Sequence, residues 1–299
     1  MTFLLYSAVV LIWGTTWIAI FVQQHSANVA VETAVFWRFL LASLLLLVIL
    51  KSLGRLKPLP AATHTLCLMQ GGCIFGANFL CFYTAAQWIN SGLESVIFSM
   101  AVLYNALNSR LFFGQTPAAR FVPALILGLA GMVILFWPQL QQNHFSRHLL
   151  YGVGLCALGT YGFSLGNMIG IRHKQQQQDA LSTTAWAMLY GSLIMAAIAL
   201  LRGASLTPTL NLPWLTAVVY LAVIGSVCGF GAYFILLGRI GSAKASWSTL
   251  LFPLVALALS ARYEGFVWQL TTVIGLVCIS GSNLLMFLPP SRRQRCSTG

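Results

Sequence analysis

Apolar runs about as long as a bilayer is thick follow one another along the whole chain, with short polar connections between them. Ten are legible, at 3–22, 32–50, 65–86, 92–110, 119–137, 149–170, 181–201, 213–236, 245–261 and 268–288. A hydrocarbon core of ~30 Å takes ~20 helical residues, so each run predicts one transmembrane helix. Strict alternation of polar and apolar residues in segments of ~10, the mark of a membrane barrel, is absent. The predicted fold is an all-α polytopic membrane protein. The first run has no charged leader or small-residue cleavage site and reads as a retained span.

Composition agrees. The chain is 59% hydrophobic and 7% charged, against about 25% charged residues in soluble domains. A net charge of +12 could signal nucleic acid, but its distribution points to the bilayer. Lys51, Arg55, Lys57, Arg110, Arg120, Arg172, Lys174, Arg239, Lys244, Arg292, Arg293 and Arg295 fall on one side of the predicted helices. Only Arg147, Arg202 and Arg262 fall on the other. Cytoplasmic loops carry the excess of Lys and Arg, so both termini are expected in the cytoplasm, which also requires an even number of spans. Cys67, Cys73, Cys81, Cys156, Cys228 and Cys278 lie in apolar runs and Cys296 in the tail. With no CxxC or His/Cys cluster they read as small, reduced apolar residues, and no metal or cofactor is expected.

The two halves echo each other. Trp37 and Ser43 match Trp186 and Ser192. Ser91, Ser95, Leu103 and Gly114 match Ser242, Ser246, Leu254 and Gly265. Gly72 and Gly76 match Gly225 and Gly229, and Gly128 matches Gly275. The common order predicts two five-helix repeats, residues 1–140 and 149–290, joined by a periplasmic connection at 141–148 and followed by a basic cytoplasmic tail at 291–299. Five is odd, so the second repeat enters the membrane from the opposite face. Inverted repeats accompany alternating access around a midplane site.

Ile12-Trp13-Gly14-Thr15-Thr16-Trp17 sits in the middle of the first run, with a fainter echo at Leu158-Gly159-Thr160-Tyr161. Trp13 and Trp17 are four apart and share a helix face, with Thr16 adjacent, so this face looks into protein or a cavity. This stretch is similar to the signature of the EamA-type branch of the drug/metabolite transporter superfamily. So are Trp37-Arg38-Phe39, Ser91-Gly92-Leu93-Glu94-Ser95, Gly241-Ser242-Ala243-Lys244-Ala245-Ser246 and Phe252-Pro253-Leu254. The resemblance implies a ten-helix bundle of two inverted repeats that exports small metabolites, commonly amino acids or related compounds, from the cytoplasm of a bacterium through its inner membrane. Departures are Gly114-Gln115 and the reversed Glu264-Gly265 where the family has Gly-Glu. Ala101-Val102 stands where a proline is usual in the fourth span, so the reason for a kink there is missing.

Charges inside a span are costly and are functional candidates. Arg38 lies six residues beyond Glu32, roughly 9 Å along a helix. It reads either as a site for a substrate carboxylate or half of a gate, or as an arginine that snorkels outward or pairs with Glu32. Glu94, in the first turn of the fourth span, suits the helix N-terminus; a proton-coupling role is the other reading. No acid sits at the centre of a span, so a facilitator fits as well as a proton relay. Asn78, Tyr83, Ser99, Tyr104, Asn105, Tyr161, Asn167, Tyr233, Trp247 and Ser248 are polar or aromatic at mid-span. Singly each reads as an interhelical hydrogen-bonding group. Together with Trp13, Thr16 and Trp17 they predict a cavity for a small amphipathic ligand. Pro253 removes a backbone hydrogen bond, leaving a tolerated kink, a hinge or a carbonyl near Thr249 free for an ammonium.

Gly162, Gly166 and Gly170 predict close intramolecular packing, with rocking surfaces and a dimer seam as the other readings; a monomer is expected, with a homodimer as the alternative. Gly162-Phe163-Ser164-Leu165-Gly166 matches the GxSxG nucleophile pattern but lies in an apolar helix without a downstream histidine, which argues against a hydrolase. There is no Walker loop. A multidrug exporter is the alternative within transport. A membrane enzyme or lipid-handling protein would need clustered His, Asp or Glu at one depth, which the sequence lacks.

Overall fold

The computed structural model describes residues 2–115, 120–141, 147–233, 236 and 248–287. The Gly241–Ser246 motif, Trp247 and the 291–299 tail lie outside them, as does the Ser248 side chain. The described residues form helices and no strands. In chain order these are α1 (Thr2–Ser26), α2 (Val31–Ser52), α3 (Ala61–Ala85), α4 (Ser91–Phe113), α5 (Phe121–Gln141), α6 (Arg147–Gln175), α7 (Ala180–Leu201), α8 (Leu212–Tyr233), α9 (Ser248–Tyr263) and α10 (Leu270–Phe287). The first eight include stretches long and apolar enough to cross a membrane. Leu251–Tyr263 and Leu270–Leu285 are shorter apolar stretches.

Polar caps start several helices. Asn90 accepts from the Leu93 N–H at 2.9 Å, Asp179 from Ser182 at 2.8 Å and Asn211 from Trp214 at 3.1 Å. These side chains satisfy backbone donors that have no partner inside the helix. At the other end of α4, Gly114 takes φ +65°, the left-handed turn that ends a helix. Exposed Val122, Ile126, Leu129 and Val133 on α5, and Val273 and Val277 on α10, form faces suited to lipid.

Two helices change pitch at related places. Within α3, Gly71–Asn78 is π-helical, and within α8, Leu221–Cys228 is π-helical. These segments contain the matched glycines Gly72, Gly76 and Gly225. The fourth span is interrupted despite having no proline: α4 breaks at Met100, whose N–H donates to the Ile97 carbonyl and whose carbonyl accepts from Leu103. Tightening to i→i+3 bonds is enough to break the ladder. Pro253, by contrast, lies buried within an uninterrupted α9.

The two halves interlock. α1 packs on α8 and α9, while α6 packs on α3 and α4; α2 meets α7, α4 meets α9, and α5 meets α10. Each of the last three pairs is antiparallel. Near the start of α2, Thr33 Oγ1 donates to the Ser205 carbonyl just beyond α7 at 2.8 Å; beyond the end of α2, the Lys57 N–H donates to Ser182 Oγ at the start of α7. In α4 and α9, the Ser91 N–H meets Glu264 and the Phe98 ring meets Phe252. In α5 and α10, Gly128 lies by Ser282 and Leu135 by Gly275.

The α5–α10 seam depends on absent side chains. A Cβ at Gly275 would lie 2.7 Å from the Gly131 carbonyl oxygen and 2.8 Å from the Leu135 nitrogen. Gly275→Leu is expected to cost at least about 1–3 kcal/mol by overpacking, read as a lower Tm in detergent. Ligand affinity should not change, because neither helix reaches the cavity described next.

Candidate functional site

The face of α1 drawn by Trp13, Thr16, Trp17 and Ile20 follows helical spacing and turns inward, with Thr16 and Trp17 each 7% exposed. It forms one wall of a cavity completed by Arg38 of α2, Asn78, Phe79 and Phe82 of α3, Phe98 of α4, Phe163 of α6, Gly225 and Phe230 of α8, and Phe252 of α9. Its atom-free space is about 520 Å³, mouth included.

The walls are aromatic. The Trp17 ring stands edge-on to Phe82 at 5.0 Å and Phe98 at 5.6 Å, and lies parallel to Phe252 at 6.2 Å. Trp13 meets Phe230 at 5.4 Å and Tyr233 at 5.0 Å. Two glycines of α8 allow α1 this close. A Cβ at Gly225 would lie 2.7 Å from Thr16 Cγ2, and one at Gly229 would lie 2.6 Å from Trp13 Nε1.

Besides the two indoles, three polar side chains interrupt this apolar lining. Thr16 Oγ1 donates back to the Trp13 carbonyl at 2.7 Å. Asn78 is 2% exposed, and its Oδ1 has no hydrogen-bond partner among the described residues. Arg38 is also 2% exposed. Its Nε donates to Ser226 Oγ and its Nη1 to the Tyr83 hydroxyl, both at 3.3 Å. Its guanidinium carbon stands 4.4 Å from the Phe79 ring centroid and 5.0 Å from that of Phe39. Tyr83 in turn donates to Gln23 Oε1 at 2.9 Å, and Gln23 Nε2 donates to the Ala34 carbonyl.

Both structural alternatives for Arg38 fail. It is buried rather than snorkelling, and Glu32 forms its ion pair with Arg202. Among the described residues no carboxylate neutralises the guanidinium. A buried charge without a counter-ion is costly, and this one lines a cavity.

Of the other residues singled out in the sequence, Tyr83 is fully buried behind Arg38 rather than in the wall. Tyr233 packs on the Trp13 ring outside the lining. Ser99 donates to the Val96 carbonyl and accepts from Asn283 of α10, away from the cavity. Tyr161 packs on Tyr104 at 5.7 Å, in a polar α4–α6 seam where Asn108 donates to Ser164 and Asn167 to Asn105. Glu94 lies at the α4–α9 seam, fully buried. Phe79, Phe82, Phe98, Phe163 and Phe230 were missed because phenylalanine in an apolar run reads equally as a lipid-facing side chain. Gln23 was missed because it lies beyond the predicted end of the first span.

Known proteins resemble the chain over most of its length. The model of the EamA-like transporter family matches residues 1–137 and 150–288. An Escherichia coli K12 protein named uncharacterized inner membrane transporter YedA is 28% identical over 264 residues, covering 86% of this chain and 81% of its own. An E. coli K12 protein named probable amino-acid metabolite efflux pump is 22% identical over 261 residues, covering 85% and 83%. A solved crystal structure superimposes with a TM-score of 0.67 at 15% identity over 95% of both chains, which speaks for the fold alone.

Proposed function

Because this chain belongs to the EamA-like transporter family, we propose that it is a secondary exporter of small metabolites bearing a carboxylate, amino acids or related amphipathic compounds, in a bacterial inner membrane. The observation that carries the substrate class is Arg38, a buried cation facing a cavity with no protein carboxylate beside it among the described residues. A ligand carboxylate there gains charge-assisted hydrogen bonds from the guanidinium. The open Asn78 Oδ1 suits an amino or amide N–H of the same ligand, and the rings suit its apolar part. The name of the E. coli efflux pump and the inner-membrane name of YedA support the solute class and the location. A multidrug exporter of cations is disfavoured, since the cavity presents a positive charge to them.

Transport is read as alternating access by ten spans in two inverted repeats, 1–140 and 149–290, with both termini cytoplasmic. The antiparallel α2–α7, α4–α9 and α5–α10 pairs support the inversion, and the π segments in α3 and α8 support the equivalence of those helices. The Glu32–Arg202 ion pair and the Thr33 and Trp37 bonds to residues 205 and 206 then close the outer side.

The test is efflux from proteoliposomes loaded with mixed amino acids and metabolites. Selective loss of carboxylate solutes through the wild-type protein is expected; failure to export any of them sinks the reading. Tyr83 serves as a positioning residue. Tyr83→Phe removes one hydrogen bond to Arg38, worth about 0.5–1.5 kcal/mol, and should raise Kd for carboxylate ligands roughly 2- to 10-fold in calorimetric titration. It should leave binding of their neutral amides unchanged.

A further inference from the structure

Away from the cavity, the α4–α9 seam brings two carboxyl groups together. Glu94 is 0% exposed, and neither carboxyl oxygen has a hydrogen-bond partner among the described residues. One turn earlier on the same face, the Ser91 N–H donates to Glu264 Oε2 at 2.9 Å, and Ser260 Oγ donates to that oxygen at 2.7 Å. Glu264, just beyond α9, thus sits on the first turn of α4, the turn that carries Glu94, close enough for the two carboxyl groups to act on each other electrostatically. Beside them the Ser91 hydroxyl, 1% exposed, and Glu264 Oε1 are also unpartnered among the described residues.

Among the described residues no Lys or Arg is paired with either carboxyl group. Arg262 lies over the Tyr263 ring, and Arg38 is held by Ser226 and Tyr83. The titratable groups around Glu94 are Cys156 of α6 and Tyr83 of α3, with His148 at the start of α6 stacked on Trp88. α1 and α10 contain no Asp, Glu, Lys or Arg. The seam is too tight for a hydrated cation: a Cβ on Gly92 would already lie 2.8 Å from Leu257 Cδ2 and 3.1 Å from Ser260 Cβ. A charge on Glu94 would be buried without a donor among the described residues and repelled by the nearby Glu264 carboxylate, and one proton held by the pair removes both penalties.

We propose that Glu94 and Glu264 hold one exchangeable proton, and that this proton is the coupling ion of transport. The coupling half rests on the transport reading above. With the seam shut, the proton is shielded from water. When α4 and α9 separate, the pair is wetted: the carboxyl O–H bond breaks and the proton passes to water, or the reverse, so occupancy follows conformation.

The proton site is tested without transport. Infrared spectroscopy of the purified protein at neutral pH should show a protonated-carboxyl C=O band that shifts in D2O. Glu94→Gln should remove it and Glu264→Gln should displace or remove it. No such band, or a band untouched by both substitutions, overturns the site. In proteoliposomes, an imposed proton gradient should change wild-type efflux severalfold. Glu94→Gln should keep downhill efflux and lose the response. Wild-type efflux indifferent to the gradient, or a response surviving Glu94→Gln, overturns the coupling. If the wild type exports no carboxylate solute at all, the function proposed above fails, and the infrared result still decides the proton site.

Discussion

Arg38→Met is expected to abolish useful affinity for carboxylate ligands while leaving the protein folded. Truncating one partner of a buried charge pair costs about 2–5 kcal/mol, so Kd should rise at least about 30-fold in calorimetric titration. Stability should not fall with it. Among the described residues Arg38 makes two side-chain hydrogen bonds, both of 3.3 Å, and has no carboxylate beside it, and replacing a poorly compensated buried charge by an apolar side chain is often neutral or stabilising. The contrast that gives the experiment its force is the ligand's methyl ester or amide. These should bind wild type and Arg38→Met with similar affinity. If the neutral analogues lose as much as the carboxylates, Arg38 shapes the cavity but does not recognise charge.

Gly225→Leu should close the cavity from the other side. The Cβ alone would sit 2.7 Å from Thr16 Cγ2 and 3.7 Å from Arg38 Nη2. The rest of a leucine must fill atom-free space or push α8 off α1. We expect ligand binding and efflux to fall below detection, with a stability cost of about 1–3 kcal/mol from overpacking. Gly72→Leu is the control. It lies in the other π segment, where a Cβ meets Ile194 at 3.4 Å away from the cavity, and it should keep binding. Equal loss of binding in both variants would mean that general damage to the helices, not obstruction, explains the effect.

The helices were largely legible because a bilayer demands long apolar runs. The predicted run 32–50 corresponds to Val31–Ser52 and 181–201 to Ala180–Leu201. The predicted run 149–170 fell short of Arg147–Gln175, whose last turn is polar and carries Arg172, His173 and Lys174. Hydropathy ends where charge begins, but a helix continues into the headgroup region. The break at Met100 was not legible at all, since no glycine or proline marks it.

The cavity was half legible. Trp13, Thr16, Trp17, Arg38 and Asn78 stand out in an apolar run because each carries a polar atom, and all five line the wall. Ser99 and Tyr161 carried the same signal and lie elsewhere, because a polar atom in a membrane helix needs a partner, and a neighbouring helix supplies one as well as a ligand does. Only helix rotation separates the two cases, and it follows from how the helices pack rather than from residue type. The phenylalanines show the converse, with site residues carrying no polar atom to reveal them.

The π segments have a mechanical consequence. An i→i+5 ladder holds one residue more per turn than its neighbours need, so each segment is slack wound into the chain. Relaxing Leu221–Cys228 to an α ladder would turn everything beyond it by about 100° about the helix axis. Ser226 Oγ, which donates to Leu221 five residues back while accepting from Arg38, sits on that slack. A small rewinding of one helix can therefore swing the anchor of the cavity's only described cation without moving either end of the helix far through the bilayer.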